Sequence, residues 1–137
     1  HGHKQYWYRY TLNDHLARDV AKVLILAVRV YGDSIYRESL VRLADSLLLA
    51  QMPAPQPAWA QQYNPTMQPI WARKFEPPAI TTSESYSVIE TLMLVHALTE
   101  DNKYLEPIPS ALKYLKQCEM GDGQVARFSE LRTNRPL

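Results

Sequence analysis

The stretch "YGDSIYRESLVRLADSLLLAQM", residues 31–52, lies without a gap over "TEDNKYLEPIPSALKYLKQCEM", residues 99–120. Tyr36 falls on Tyr104, Leu47 on Leu115 and Met52 on Met120, each pair 68 positions apart. The same offset carries "RDVAKVLILAV" (18–28) onto "YSVIETLMLVH" (86–96). Within 14–31, Leu16, Val20, Val23, Leu24, Ala27, Val28 and Tyr31 recur at helical spacing and are expected to form one buried face. Thr11 and Asp14 stand three apart ahead of them, the spacing of a capping box, and Gly32 is placed to end the helix. A second helix is predicted over 36–51, burying Leu40, Leu43, Ala44, Leu47 and Leu48. Pro53, Pro55 and Pro57 stop it. The offset then predicts helices over 84–98, with Thr81 ahead of Glu84 as another capping pattern, and over 103–118. The fold class is therefore all-α: two αα-hairpin repeats, about 14–52 and 84–120, stacked or closed into a ring, because such units cannot bury their faces alone. No strand of ordinary length is evident, although 56–64 and 124–131 could form short ones.

Composition narrows the classes of function. The 137 residues carry 15 basic and 14 acidic side chains, a formal charge of +1. That balance excludes the broad cationic surface on which nucleic-acid affinity depends. One cysteine, Cys118, leaves neither an intramolecular disulfide nor metal-ligand spacing. The most apolar run, "VAKVLILAVRV", is interrupted by Lys22 and Arg29 and falls short of the roughly 20 residues that span a bilayer. Neither nucleic acid nor membrane is expected as a partner. The chain starts "HGHKQYWYRY", without methionine or signal peptide, and stops at "TNRPL". Residues 1–137 are accordingly read as a single domain or a fragment of a longer protein, with His1 and His3 as tag remnants.

Chemistry concentrates between the helices. "PIWARKFEPP" (69–78) packs Arg73, Lys74 and Glu76 between aromatics and prolines, and Ala126-Arg127 with Glu130 repeats the Ala72-Arg73 and Glu76 spacing. Trp59, Gln61, Gln62, Tyr63, Trp71, Arg132, Asn134 and Arg135 lie on the same loops. Guanidinium forks pair bidentately with carboxylates, and indole faces stack on sugar rings, so this set suits flat, polar, anionic ligands. An Arg-x-x-Glu pair can equally be a salt bridge pinning a loop to the helix ends. His96 reads as a satisfied core residue and "GDGQ" (121–124) as a turn, lacking the carboxylate series of a calcium loop. Phosphate-binding glycine loops, nucleophile elbows and zinc spacings are missing.

"PAWAQQYNPTMQPIWARKFEPPAI" with the following "SES", and "VARFSELRTNRPL", resemble the pectic acid lyases of polysaccharide lyase family 10, over about Tyr10 to Leu137. The resemblance implies part of an incomplete (α/α) toroid, a secreted or periplasmic enzyme, and calcium-dependent β-elimination of polygalacturonate. It implies that Arg73 is the catalytic base and that Arg127 contacts substrate carboxylates. Lys74, Trp59, Gln62, Glu76 and Arg135 would line the same groove, and Asp14 in "YTLND" would help hold Ca2+. Family toroids are about twice this length and carry a further calcium-binding Asp-Asn pair in the first half, so the chain is expected to be the C-terminal half. Ser129 stands where the family has tyrosine, and Ala60 where many members have cysteine. Arginine is an awkward base, its pKa lying above roughly 12, and an alkaline optimum is expected of it. Two other readings stand beside the lyase: a non-catalytic helical domain that binds acidic carbohydrate, and a glycoside hydrolase drawing its two carboxylates from Glu76, Glu84 and Glu130.

Overall fold

The computed structural model describes residues 6–137; His1 and His3 lie outside the described residues. The chain is mainly helical. Four helices, α1 (Leu16–Tyr31), α2 (Ser34–Ala50), α3 (Thr82–Thr99) and α4 (Ile108–Gln117), carry the core. Between them lie the short strands β1 (Tyr10–Thr11), β2 (Gln62–Tyr63), β3 (Ala79–Thr81) and β4 (Phe128–Glu130), in two of the regions where the sequence allowed strands and two others.

Local chemistry explains most helix ends. α1 stops at Gly32, whose φ of 68° belongs to the left-handed region that glycine enters without a Cβ penalty. Asp33 then accepts the Ile35 amide at 2.9 Å and starts α2 two residues earlier than predicted. α2 ends at Ala50, ahead of the proline run. The predicted helix over 103–118 divides into a single turn, Asn102–Tyr104, and α4, with Pro107 at its start.

Two capping patterns are not used as expected. Asp14 and His15 both have positive φ, so α1 begins at Leu16, and neither side chain caps it. The Thr81 hydroxyl, expected to cap α3, reaches the Trp59 carbonyl at 3.3 Å instead. In each case the neighbouring extended segment makes a tertiary contact, Leu12 to the Gln61 carbonyl and Thr81 to the Trp59 carbonyl.

The buried face of α1 also differs from expectation. Ala17, Ala21 and Ile25 turn inward, Leu24, Ala27 and Val28 are partly covered, and Leu16, Val20, Val23 and Tyr31 are exposed. α1 is apolar around most of its circumference, so spacing alone does not choose the inward side. The small Ala17 and Ala21 are the residues that admit close approach of α2 and α3, both of which pack on this helix. α2 follows the prediction better: Leu40, Ala44 and Leu47 are buried, and Leu43 and Leu48 are partly so. α3 lies against α1, α2 and α4, and Val88, Leu92 and Val95 join Leu115 and Tyr114 in one continuous core. Lys103 and the Tyr104 hydroxyl both meet the Asp45 carboxylate, at 2.9 and 3.1 Å, tying α2 to the turn before α4.

Candidate functional site

The extended segment 58–63 forms the backbone of the site. Trp59 is fully buried, and its indole Nε1 donates to the Leu47 carbonyl at 2.8 Å. The Ser85 hydroxyl accepts the Trp59 amide at 3.0 Å and lies 3.1 Å from its carbonyl, while the Thr81 amide donates to that carbonyl at 2.9 Å. β3 then pairs antiparallel with β4, Thr81 opposite Phe128 and Ile80 opposite Ser129. On the other side, Ala60 bridges to Ile80. Three extended stretches therefore lie side by side across the start of α3.

Arg73 is fixed at the turn of the loop that follows. The Glu76 amide donates to the Arg73 carbonyl at 2.9 Å, a turn that brings residues i and i+3 together. Glu76 is almost entirely buried, and its carboxylate takes the guanidinium as a fork: Nε to Oε2 at 2.8 Å, and Nη2 to Oε1. The Arg73 amide adds a third bond to Oε2 at 3.0 Å. These bonds, led by the Arg73 side chain and helped by Gln61, outweigh burial and hold the Glu76 carboxyl at about 2, below its ordinary 4.5. Arg73 itself remains partly exposed, its guanidinium 4.9 Å above the outward-facing Phe75 ring. Lys74 is exposed beside it.

The second motif folds differently. Residues 128–130 form a strand, so Arg127 and Glu130 do not share a turn. The Arg127 guanidinium lies 5.0 Å above the Phe128 ring and is exposed. Glu130 pairs with Arg135 at 3.1 Å and accepts the Thr133 hydroxyl. Backbone bonds from the Glu130 amide to the Arg135 carbonyl and from the Leu137 amide to the Phe128 carbonyl close a hairpin with Arg127 at one end. The Thr82 amide and hydroxyl hold the other side, to the carbonyls of Arg127 and Ala126 at 3.4 and 2.9 Å.

Asp14 reaches the same segment through its neighbours. The Leu12 amide donates to the Gln61 carbonyl at 2.8 Å, and β1 pairs with β2. Asp14 is exposed and accepts the Asn13 amide side chain at 2.7 Å. The buried Gln61 Oε1 has no hydrogen-bond partner among the described residues. These are oxygen donors, the kind calcium takes, but the ion needs six to eight. Among the described residues no group of three His, Cys, Asp or Glu side chains is placed to hold a metal. The set fits calcium in kind and not in number.

Of the residues expected to line a groove, Arg73, Lys74, Arg127 and Arg135 offer charge to solvent. Trp59 and Gln62 do not: both are buried, so the stacking face expected of Trp59 is covered and its part is to fix the segment. Glu76 is the buried partner of Arg73. Sequence reasoning missed Gln56, Tyr114 and the Ser85 hydroxyl, whose partners lie 20 to 78 residues away and leave no local signature. Among the described residues no helix is long and apolar enough to cross a membrane. Set against models of known families, residues 3–137 match that of pectic acid lyase. Set against individual curated proteins, the chain matches none.

Proposed function

The chain belongs to the pectic acid lyase family, and on that premise we propose that it cleaves polygalacturonate by calcium-dependent β-elimination with Arg73 as the base. The observation that carries the reading is the Glu76 clamp on Arg73 at the exposed turn of its loop. Two contacts from the guanidinium and one from the Arg73 backbone amide to one buried carboxylate fix the side chain in place, which is what a proton transfer at a defined carbon asks of the group that performs it.

In this reading the C5 proton of a galacturonate passes to Arg73 in its neutral guanidine form, which has the lone pair that the charged guanidinium lacks. The electrons released form the C4–C5 double bond, the bond from C4 to the glycosidic oxygen breaks, and that oxygen leaves and takes a proton from water. An ion pair favours the charged guanidinium, so turnover rises toward alkaline pH, where the proton is more readily shed. Arg127 and Arg135 receive uronate carboxylates, with Lys74 adding charge at the rim. Asp14 would supply one of the oxygen ligands that a calcium ion takes. A calcium ion bound there would supply charge withdrawal from the uronate carboxylate as the C5 proton leaves.

The helices support a toroid segment. α1 and α3 end at Tyr31 and Thr99, which the 68-residue repeat superposes. All three site elements hang on segment 58–63, Asp14 through Leu12, Arg73 through Glu76 and Gln61, and Arg127 through β4 and β3. A secreted or periplasmic setting follows from a polymeric substrate too large to enter a cell. The test is incubation of the full-length protein with polygalacturonate and calcium, reading the unsaturated product in the ultraviolet. Growth of that absorbance supports the reading. Binding of the polymer without any product overturns it in favour of a carbohydrate-binding domain.

A further inference from the structure

Gln56 is 4% exposed and sits in the proline-rich turn after α2, far in sequence from every group that its side chain bonds. Its Oε1 accepts the Arg132 amide at 2.6 Å. Its Nε2 faces the Glu130 carbonyl at 3.1 Å, the Asn134 Oδ1, and the Tyr114 hydroxyl at 3.2 Å. Tyr114, on α4, in turn donates to Asn134 Oδ1 at 2.8 Å. One amide side chain thus meets both backbone groups and side chains of the 130–134 turn, and shares them with a buried phenol of the core.

That turn needs an anchor. Arg132 and Asn134 adopt φ of 72° and 60°, a conformation that costs non-glycine residues energy and persists where surroundings over-determine it. The hairpin it closes carries Arg127 at one end and Arg135 on the returning limb. Its other attachments include the backbone pairing of β4 with β3, the Thr82 contacts at Arg127 and Ala126, and the packing of Leu131 against the core. Gln56 holds the far end.

We infer that Gln56, with Tyr114 and Asn134, is a positioning device that sets where Arg127 and Arg135 stand toward an acidic polysaccharide. The inference rests on the lyase reading for its substrate and not for its geometry. Gln56 touches no reacting atom: it acts through the two arginines. Removing its amide frees the turn, so the arginines sample several positions and bind carboxylates less well, while Arg73 on its own clamped loop is undisturbed.

The experiment compares Gln56→Leu, Gln56→Glu and Arg127→Ala, singly and with Gln56→Leu combined with Arg127→Ala, in the full-length protein. Amide hydrogen exchange over 128–137 should quicken roughly tenfold or more in Gln56→Leu, with loop 69–78 unchanged. Gln56→Glu keeps the acceptor for the Arg132 amide and loses the donors, so its exchange should fall between. KM for polygalacturonate should rise with kcat nearly constant, and the double variant should raise KM by less than the product of the two single effects, because the part of the Gln56 effect that runs through Arg127 is already lost. Unchanged exchange in both Gln56 variants overturns the proposal, and so do independent, multiplying effects on KM. If the wild-type protein neither binds nor cleaves polygalacturonate, the lyase reading falls by itself. The exchange measurement then still decides whether Gln56 pins the hairpin.

Discussion

The two Ala-Arg-x-x-Glu motifs have one spacing and two structures. In the first, residues 73 and 76 close a turn, so the carboxylate folds back on its own arginine and both become one rigid unit. In the second, residues 128–130 are extended, and side chains three apart on a strand project to opposite faces. Glu130 therefore turns to Arg135, and Arg127 is left over an aromatic ring facing solvent. A fixed guanidinium suits a chemical step that tolerates little misplacement. A guanidinium at the end of a hairpin suits holding a charged polymer. The shared pattern says nothing of this division, which comes from whether the backbone turns or extends between the two charges.

The strongest way to break the comparison is Arg73→Ala. If this residue is the base, kcat should fall by about 10²–10⁴ with KM changed only severalfold, measured from the unsaturated product at alkaline pH and saturating calcium. Arg73→Lys should not restore it, since an ammonium lacks the fork that Glu76 grips. Near-normal kcat in Arg73→Ala would remove the distinction between the two loops.

Glu76→Ala comes next, because it leaves a guanidinium without its buried partner. A loss of about 2–3 kcal/mol in thermal or denaturant unfolding is expected, with a lower kcat, since the bonds lost are to a charged group. The matching change on the second motif, Glu130→Ala, should cost under about 1 kcal/mol, its pair with Arg135 being exposed. Equal losses from the two glutamates would mean that the buried fork contributes nothing special. Between them in effect lies Arg127→Ala, for which KM should rise about tenfold while kcat stays within a few fold, in proportion to one lost carboxylate contact.

The mildest probe is acid. Glu76 has its carboxyl lowered to about 2 from 4.5, so the clamp contributes full stability above pH 4.5 and loses it as pH falls toward 2. An unfolding series over that window should show wild type weakening more steeply than Glu76→Gln, which has no such proton to take up. Parallel curves would show that the carboxylate is not held as the geometry indicates.

Features written within a few residues were legible in the sequence. Gly32 and the prolines end helices where they should, and the 68-residue offset locates α3 and, beyond the turn at Asn102–Tyr104, α4. The side of α1 that faces inward was not legible, because its apolar arc is wider than the face that packs, leaving Leu16, Val20 and Val23 exposed while Ala17, Ala21 and Ile25 turn inward. Trp59 drew the expectation of a sugar platform because an indole has the same letter in a groove and in a core. Only the Leu47 carbonyl, twelve residues away, shows which it is. The two arginines stood out in the sequence, whereas the difference in their surroundings required knowing where the chain turns. Gln56 was invisible, since its partners Glu130, Arg132 and Asn134 approach only in the folded chain.

The burial of Trp59 gives the protein an optical gauge of its own condition. Three indoles stand in three environments: Trp7 open to water, Trp71 half covered, and Trp59 dry with its N–H engaged. Water relaxes around an excited indole and shifts its light to the red, so the shortest-wavelength part of the emission belongs to Trp59, and dissolved acrylamide should quench it last. Because Trp59 joins α2, α3 and β3, loss of that blue component marks the moment the seat of the site comes apart. A chemist can follow it without substrate, calcium or label.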